Sequence, residues 1–174
     1  FTSACGQSIY RGNKFPYDSR GAYFFCDPTI HVVRRAYVEY PDGKLMLRKA
    51  EPEGEEFMRS SDFNSRFINT TTGPDGSLYV TDMYRGIIQD AAWFNESNRE
   101  FARRTGVNKH VQMGRIWRIR HKDHQPFMEK PQMLEESTEE LVRHLQNPIG
   151  WWRDTAQKII LLRPEREKAT PHLE

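Results

Sequence analysis

The sequence of 174 residues has few cysteines, no long apolar run and no excess of charge of one sign. Its longest aliphatic stretch is the four residues 159–162, whereas a membrane-spanning helix needs about 20 apolar residues, so we expect no transmembrane segment. The 26 basic and 24 acidic side chains leave a net charge of +2, which argues against a nucleic-acid partner attracted by a global field. Aromatic residues make up 12% of the chain, too much apolar ring surface for a disordered protein.

Two cysteines are present, Cys5 and Cys26. Their number and spacing match neither a zinc site nor the C-x-x-C-H attachment sequence of c-type haem. The pair is compatible with a disulfide, which would close a loop of about 20 residues and stabilise the fold by about 3 kcal/mol. It is equally compatible with two buried thiols that pack as small apolar side chains. The spacing alone leaves both interpretations open.

Residues 1–120 alternate short runs of aromatic and β-branched side chains with Gly, Pro and Asp, the pattern of strands joined by tight turns. The predicted strands are residues 21–26, 32–38, 78–81 and 115–119, and the predicted turns are residues 41–43 and 73–76. An insertion, residues 89–112, precedes the last strand. Within it we predict an exposed helix over 96–105, because Asn95 is a good N-cap and Gly106 a good C-terminal stop.

The C-terminal part follows a helical period instead. Ser137 and Glu140 have the spacing of a capping box, which predicts the start of a first helix. A second helix, with an apolar face from Trp152 to Ile160, ends before Pro164. Two short helices in succession predict an αα-hairpin.

These patterns divide the chain into three segments. Residues 1–120 form a β region, residues 121–135 a polar linker with Pro126 and Pro131, and residues 136–174 a helical region. The predicted fold class is therefore mainly β with an α-helical C-terminus.

The β region contains a weak internal repeat. In residues 23–35, and again in residues 78–118, an aromatic strand ends in Asp and is followed by a strand that contains Arg. Repeats of short antiparallel strands are typical of β-propeller blades, although other antiparallel meanders share these features.

Strand direction predicts which residues meet at one end of such blades. If residues 67–72 form an innermost strand, antiparallel pairing places Arg66 beside residues 82–85. By the same topology residues 27–28 and His31 leave their blade at that end. Propellers collect their ligand-binding loops there, so we expect a binding site among these residues.

Several motifs resemble one family over nearly the whole chain and in the same order. They are residues 9–12 (IYRG), 14–16 (KFP), 56–57 (EF), Asp62, 66–67 (RF), 73–86 (GPDGSLYVTDMYRG), 114–119 (GRIWRI) and 147–157 (NPIGWWRDTAQ). The chain resembles the C-terminal blades of glucose/sorbosone dehydrogenase-type six-bladed propellers, in a bacterial branch of membrane-bound dehydrogenases. In that branch the propeller continues into HEAT-like helical repeats and often a c-type haem domain.

The resemblance implies a fold and two functions. The chain would be about two blades of a six-bladed propeller followed by the first helical repeat, a piece of a longer exported or periplasmic protein associated with the cell envelope. Better-known relatives oxidise sugars with pyrroloquinoline quinone (PQQ) and Ca²⁺, and their catalytic His would lie upstream of Phe1. Electrons would pass to a haem domain outside this chain. The alternative is a non-catalytic scaffold that binds carbohydrate or protein, since propellers host both.

The resemblance also implies partners and site residues. The partners are a sugar or other small molecule, the rest of the propeller and further helical repeats. An arginine fork suits the carboxylates of a quinone, and the candidate cofactor-binding residues are Arg85, Tyr84, Asp82, Arg66, Arg34 and His31. Asp27 and Asp82 are candidate Ca²⁺ ligands. The competing interpretation is that these Arg and Asp side chains pin loop ends and cap turns. In an exported blade, Cys5 and Cys26 on neighbouring strands would form a disulfide.

Overall fold

The computed structural model describes residues 3–88, 90–125 and 130–173. Its strands are β1 Cys5–Ile9, β2 Tyr23–Asp27, β3 Val32–Glu39, β4 Met46–Lys49, β5 Met58–Arg59, β6 Phe67–Thr72, β7 Leu78–Asp82 and β8 Arg115–Ile119. Its α-helices are α1 Glu96–Thr105, α2 Thr138–His144 and α3 Gly150–Leu162, and a 3₁₀-helix covers Arg166–His172. The described residues are 29% helical and 24% strand. The chain is therefore mixed, with antiparallel sheets followed by helices, and the prediction of a mainly β fold is wrong in its proportions.

The first sheet is an antiparallel meander. Its strands lie in the order β1–β2–β3–β4, and β5 also pairs with β3. The register places Cys26 opposite Val33 and Phe24 opposite Arg35. Phe24 and Cys26 are alternate residues of β2 and therefore point to the same face of the sheet. Both are fully buried, as is Val33, which faces Cys26 from β3.

The second sheet has three strands in the order β6–β7–β8. The turn that joins β6 to β7 is closed by a hydrogen bond from Gly73 N to Ser77 O, 3.0 Å. Gly76 has a φ of +76°, which L-residues with a Cβ rarely adopt. The Asp75 carboxylate accepts hydrogen bonds from the backbone N and the hydroxyl of Ser77. The predicted turn at residues 73–76 is confirmed.

A close approach joins β1 to β6. The register of β1 is irregular between Cys5 and Ser8, and Gly6 at this bulge has a φ of +60°. A Cβ added to Gly6 would lie 2.2 Å from the carbonyl oxygen of Ile68. The Thr70 hydroxyl donates to Gly6 O at 2.9 Å and lies 2.7 Å from the Ser8 hydroxyl. Glycine is therefore required where the first strands of the two sheets meet.

The chain divides into two compact units. The first comprises Phe1–Ile9, Gly21–Thr71 and Tyr79–Arg118, and the second comprises Tyr10–Arg20, Thr72–Leu78 and Ile119–Glu174. In the first unit the buried apolar side chains include Phe24, Val33, Phe67 and Val80.

The second unit has an apolar core built on its helices. The buried residues are Met133, Leu141, Val142, Ile149, Trp152, Ala156, Ile160 and Ala169. The Trp152 indole also donates a hydrogen bond to the carbonyl of Pro74, 2.8 Å, and the Tyr10 hydroxyl donates to Gly76 O at 2.6 Å. Residues of the β6–β7 turn thus pack in the same unit as the helices.

Both helix starts predicted from local signals are confirmed. Asn95 caps α1, which ends at Gly106 in a left-handed conformation, and Ser137 and Glu140 form the capping box of α2. Pro126 of the predicted linker lies outside the described residues. Within the described ranges, no helix has the length and apolar character needed to cross a membrane, and the sheets form neither a closed barrel nor a propeller.

Candidate functional site

Four of the predicted site residues, His31, Arg66, Asp82 and Tyr84, meet where β6 begins and β7 ends. We call this group the Asp82 cluster; it consists of His31, Ser65, Arg66, Asp82, Tyr84, Arg115 and Trp117, all in the first unit. Met83 N donates to Arg66 O at 2.9 Å, which extends the antiparallel pairing past the end of β7. The prediction that Arg66 lies beside residues 82–85 is confirmed.

The Asp82 carboxylate is the centre of the cluster and is fully buried. Its donors are Arg66 N at 2.7 Å and Tyr84 N at 2.9 Å on Oδ1, with Ser65 Oγ at 2.9 Å, Arg115 Nε at 3.0 Å and Trp117 Nε1 at 3.2 Å on Oδ2. Burial alone would raise the pKa of Asp82, but these hydrogen bonds outweigh it and hold the pKa below its usual range. Five donors on two oxygens make Asp82 a fully bonded structural anion.

The Arg66 guanidinium is 2% exposed and bonds to three backbone carbonyls. It donates to Pro28 O at 2.7 Å, Gly86 O at 2.7 Å and Arg85 O at 3.1 Å, and lies 5.0 Å from the Phe63 ring. Burial lowers the pKa of Arg66. The side chain therefore ties the loops after β2 and β7 to the start of β6.

His31 joins the cluster through both ring nitrogens. Its Nδ1 lies 2.6 Å from the carbonyl oxygen of Ser65, and because a carbonyl only accepts, Nδ1 carries the proton. Nε2 lies 3.4 Å from a guanidinium nitrogen of Arg66 and is the acceptor of that pair. His31 has a φ of +59°, so this geometry is held in the left-handed backbone region.

Arg115 lies between two aromatic rings at the more exposed side of the cluster. Its guanidinium is 4.1 Å from the centre of the Tyr84 ring and 4.6 Å from that of Trp117. The hydrogen bond from Asn64 N lowers the pKa of Asp62, and the bond between Tyr84 and Asp62 raises the pKa of Tyr84. Tyr84 has a φ of +47°. Arg115 links two carboxylates, because its Nε donates to buried Asp82 and its Nη2 lies 3.8 Å from Oδ2 of the half-exposed Asp62.

Two predicted cofactor-binding arginines do not enter the cluster with their guanidinium groups. Arg85 is exposed and contributes only its carbonyl. Arg34 forms a two-point ion pair with Glu56, with Nε 2.9 Å from Oε2. The hydrogen bond from Arg34 lowers the pKa of Glu56.

Asp27, the other candidate Ca²⁺ ligand, caps the turn after β2. Its Oδ1 accepts from Thr29 N at 2.9 Å and Ile30 N at 3.4 Å, and its Oδ2 accepts from Ser3 N at 3.4 Å. Like Asp82, this buried carboxylate accepts hydrogen bonds from N–H groups. Their partial positive charge opposes the binding of a cation at the same oxygens. Within the part of the chain that the structure describes, no group of three His, Cys, Asp or Glu side chains converges as a metal site.

The predicted cofactor and metal ligands do not fit PQQ and Ca²⁺. Arg66 and Arg34 already bond to carbonyls and to Glu56. The oxygens of Asp82 and Asp27 accept N–H and O–H groups, whereas a bound Ca²⁺ needs lone pairs directed at the ion. No reaction step through these groups follows from this geometry.

Cys5 and Cys26 lie directly opposite each other on β1 and β2. Their predicted position on neighbouring strands is confirmed, and both are free thiols in the structure. The disulfide itself stays a prediction.

Sequence reasoning missed Ser65, Arg115 and Trp117. Residues 115 and 117 are two apart in a strand and share a face, so a predicted strand over 115–119 held the signal that they act together. Ser65 carried no comparable signal, because its role depends on the position of Asp82.

Residues 1–123 match a family model described as "Domain of unknown function (DUF7133)". The match covers 123 of the 174 residues and includes every member of the Asp82 cluster. No curated protein and no solved structure matches the chain.

Proposed function

The chain belongs to the DUF7133 family. From the resemblance of its sequence motifs and the bonding of the Asp82 cluster, we propose that it is the scaffold part of a six-bladed propeller of the quinone-dependent sugar dehydrogenase type. In this proposal the two sheets are C-terminal blades and the helices begin a helical repeat. The parent protein would be exported or periplasmic and would pass electrons to a c-type haem domain outside this chain. The chain itself would organise loops rather than bind the quinone.

Sheet topology supports the propeller part of the proposal. Both sheets are antiparallel and, apart from β5, pair strands that are consecutive in the chain, the arrangement of propeller blades. The first strands of the two sheets, β1 and β6, touch at Gly6 and Ile68. In a propeller the blades are arranged around a central channel, so the innermost strands of adjacent blades would lie near each other.

The bonding of Arg66 and Asp82 is the observation that carries the scaffold role. Each side chain is almost completely buried and makes at least three hydrogen bonds within the chain. To bind a quinone carboxylate, Arg66 would have to leave three carbonyls without a donor, and each buried unpaired group costs about 1–3 kcal/mol. The pair is better suited to holding loops than to exchanging ligands.

A titration separates the scaffold role from cofactor binding. The 174-residue chain is titrated with PQQ, with and without Ca²⁺, while the quinone absorbance is followed. We expect no saturable change, and the same result for Arg85→Gln, which alters the exposed guanidinium. Saturable binding that Arg85→Gln abolishes would overturn the scaffold role and assign the cofactor to these loops.

The activity of the parent is tested separately. A longer protein that contains this chain is reconstituted with PQQ and Ca²⁺ and assayed for dye reduction with a panel of aldoses. Reduction that persists in the Arg85→Gln variant is the expected result. Absence of reduction with every aldose would reject the dehydrogenase parent and leave the second candidate.

The second candidate is a non-catalytic scaffold that binds carbohydrate or protein. The partly exposed surface of Tyr84, Arg115 and Trp117 favours it, because stacked aromatic and guanidinium groups form contact surfaces without a cofactor. Trp117 is 38% exposed and its neighbour Ile116 is 69% exposed.

A further inference from the structure

Outside the Asp82 cluster, the register brings two reactive side chains face to face. Cys5 of β1 is directly opposite Cys26 of β2. Facing residues of antiparallel strands have Cα atoms about 4.5 or 5.5 Å apart, depending on the type of pair. Both separations lie within the range of about 4.4–6.8 Å that a disulfide accepts. The structure holds both as free thiols, and their facing positions are compatible with a disulfide.

The two thiols differ in their accessibility. Cys26 is fully buried, whereas Cys5 is partly exposed. Burial, with a smaller contribution from Cys5, raises the pKa of Cys26 to about 12. Burial and the nearby Asp27 carboxylate raise the pKa of Cys5. A reagent in solution thus reaches Cys5 before Cys26.

We propose that Cys5 and Cys26 form an intramolecular disulfide by exchange with a small-molecule disulfide, Cys5 reacting first and Cys26 closing the bond. The thiolate of Cys5 attacks one sulfur of the small disulfide, so that a mixed disulfide forms on Cys5 and one small thiol leaves. The Cys26 sulfur then attacks the Cys5 sulfur, and the proton of Cys26 passes to the second small thiolate as it leaves. Two protein thiols are oxidised and one small disulfide is reduced to two thiols.

The bond would act on the contact between the two sheets. Cys5 immediately precedes Gly6, whose backbone approaches Ile68 of β6. Fixing Cys5 to β2 holds the bulged part of β1 in the conformation that this contact requires. Oxidation would thereby fix β1 to β2 in the position in which β1 also contacts β6. This inference does not depend on the proposed function.

The 174-residue chain is incubated with oxidised glutathione, and samples are alkylated under denaturing conditions and measured by intact mass and peptide mapping. We expect the wild type to lose two hydrogens and to yield one linked peptide pair containing Cys5 and Cys26. Cys26→Ser is expected to accumulate one glutathione adduct on Cys5. The matched variant Cys5→Ser is expected to react at Cys26 roughly tenfold more slowly or worse, because that thiol is buried.

Two results would overturn the proposal. One is a wild-type chain that keeps two alkylatable thiols after prolonged oxidation, which needs no variant to fold. The other is equal adduct formation on the two single variants, which would reject the order of reaction. Thermal unfolding gives an independent measurement, with an expected rise of roughly 6–12 °C for the oxidised chain that reductant reverses. An unchanged unfolding temperature would show that the disulfide does not stabilise the contact between β1 and β6.

Discussion

Each of the two units of the chain is stabilised internally by a different kind of interaction. The first buries charged groups at its strand ends, with Asp82 and Arg66 bonded to five donors and three carbonyls respectively. The second buries an apolar cluster that includes Leu141, Trp152 and Ile160. Hydrogen bonds depend on direction and on donor and acceptor identity, whereas apolar packing depends mainly on volume and shape. Similar substitutions should therefore have different effects in the two units.

The largest expected effect comes from changing a charge without changing shape. Asp82→Asn replaces an acceptor oxygen by an amide that donates, facing Arg115 Nε and other donors, and removes the negative partner of the Arg115 guanidinium. Several donors to Asp82 lose their acceptor, at about 1–3 kcal/mol for each buried group left unpaired. We therefore expect a loss of about 3–5 kcal/mol in the free energy of unfolding, measured by urea denaturation followed by circular dichroism. The control in the second unit is Leu141→Met, a volume-conserving change at a fully buried site that should cost less than about 1.5 kcal/mol. Equal losses in the two variants would contradict the comparison.

A somewhat smaller effect is expected at the contact between β1 and β6. Gly6→Ala adds a Cβ at positive φ and within 2.2 Å of a backbone oxygen, so we expect a loss of about 2–4 kcal/mol. Gly43→Ala is the matched control, since its φ is +75° and no atom lies within 4 Å of the added Cβ. It should show only the backbone cost of about 1–2 kcal/mol. If the two variants lose the same stability, the close approach does not restrict β1.

The smallest effect is a loss of stability in acid that depends on Asp82. A folded-state pKa below the unfolded value means that the group stabilises the fold above the unfolded pKa, near 4 for Asp. This contribution is lost as the pH falls through the folded pKa, at no more than about 1.4 kcal/mol per pH unit for one carboxyl. Urea denaturation between pH 5 and pH 2 should show a shallower dependence in Asp82→Asn than in wild type. Identical slopes would show that Asp82 is not a source of the acid sensitivity.

Local signals in the sequence predicted the helices well. Asn95 and Gly106 bound α1, and Ser137 and Glu140 start α2, because caps are formed by residues only a few positions apart. The strands with dense aromatic and β-branched residues were found within one or two residues of their ends. The bounds of β1 were not predicted, and it was expected only as a neighbour of the strand that contains Cys26. Its sequence includes polar residues and Gly6, and its pairing depends on β2.

The site was predictable in its location but not in its bonding. Strand direction alone placed Arg66, Asp82 and His31 at one end of the sheets, as the structure has them. Whether the Arg66 guanidinium faces a ligand or a backbone carbonyl depends on Pro28 and Gly86, which are 38 and 20 residues away. Nothing in the local sequence records the final position of those carbonyls, so the two interpretations of Arg66 could not be separated.

The Arg66 side chain also has a consequence for how the first unit folds. Its three carbonyl partners come from loops that are distant in sequence, so the guanidinium is satisfied only after both loops have reached their places. A partly folded state that buried this cation with one loop missing would carry an unpaired charge, which is costly in a dry interior. Such intermediates are disfavoured, and the two loops become ordered together. A single buried cation thus makes the ordering of the strand ends cooperative.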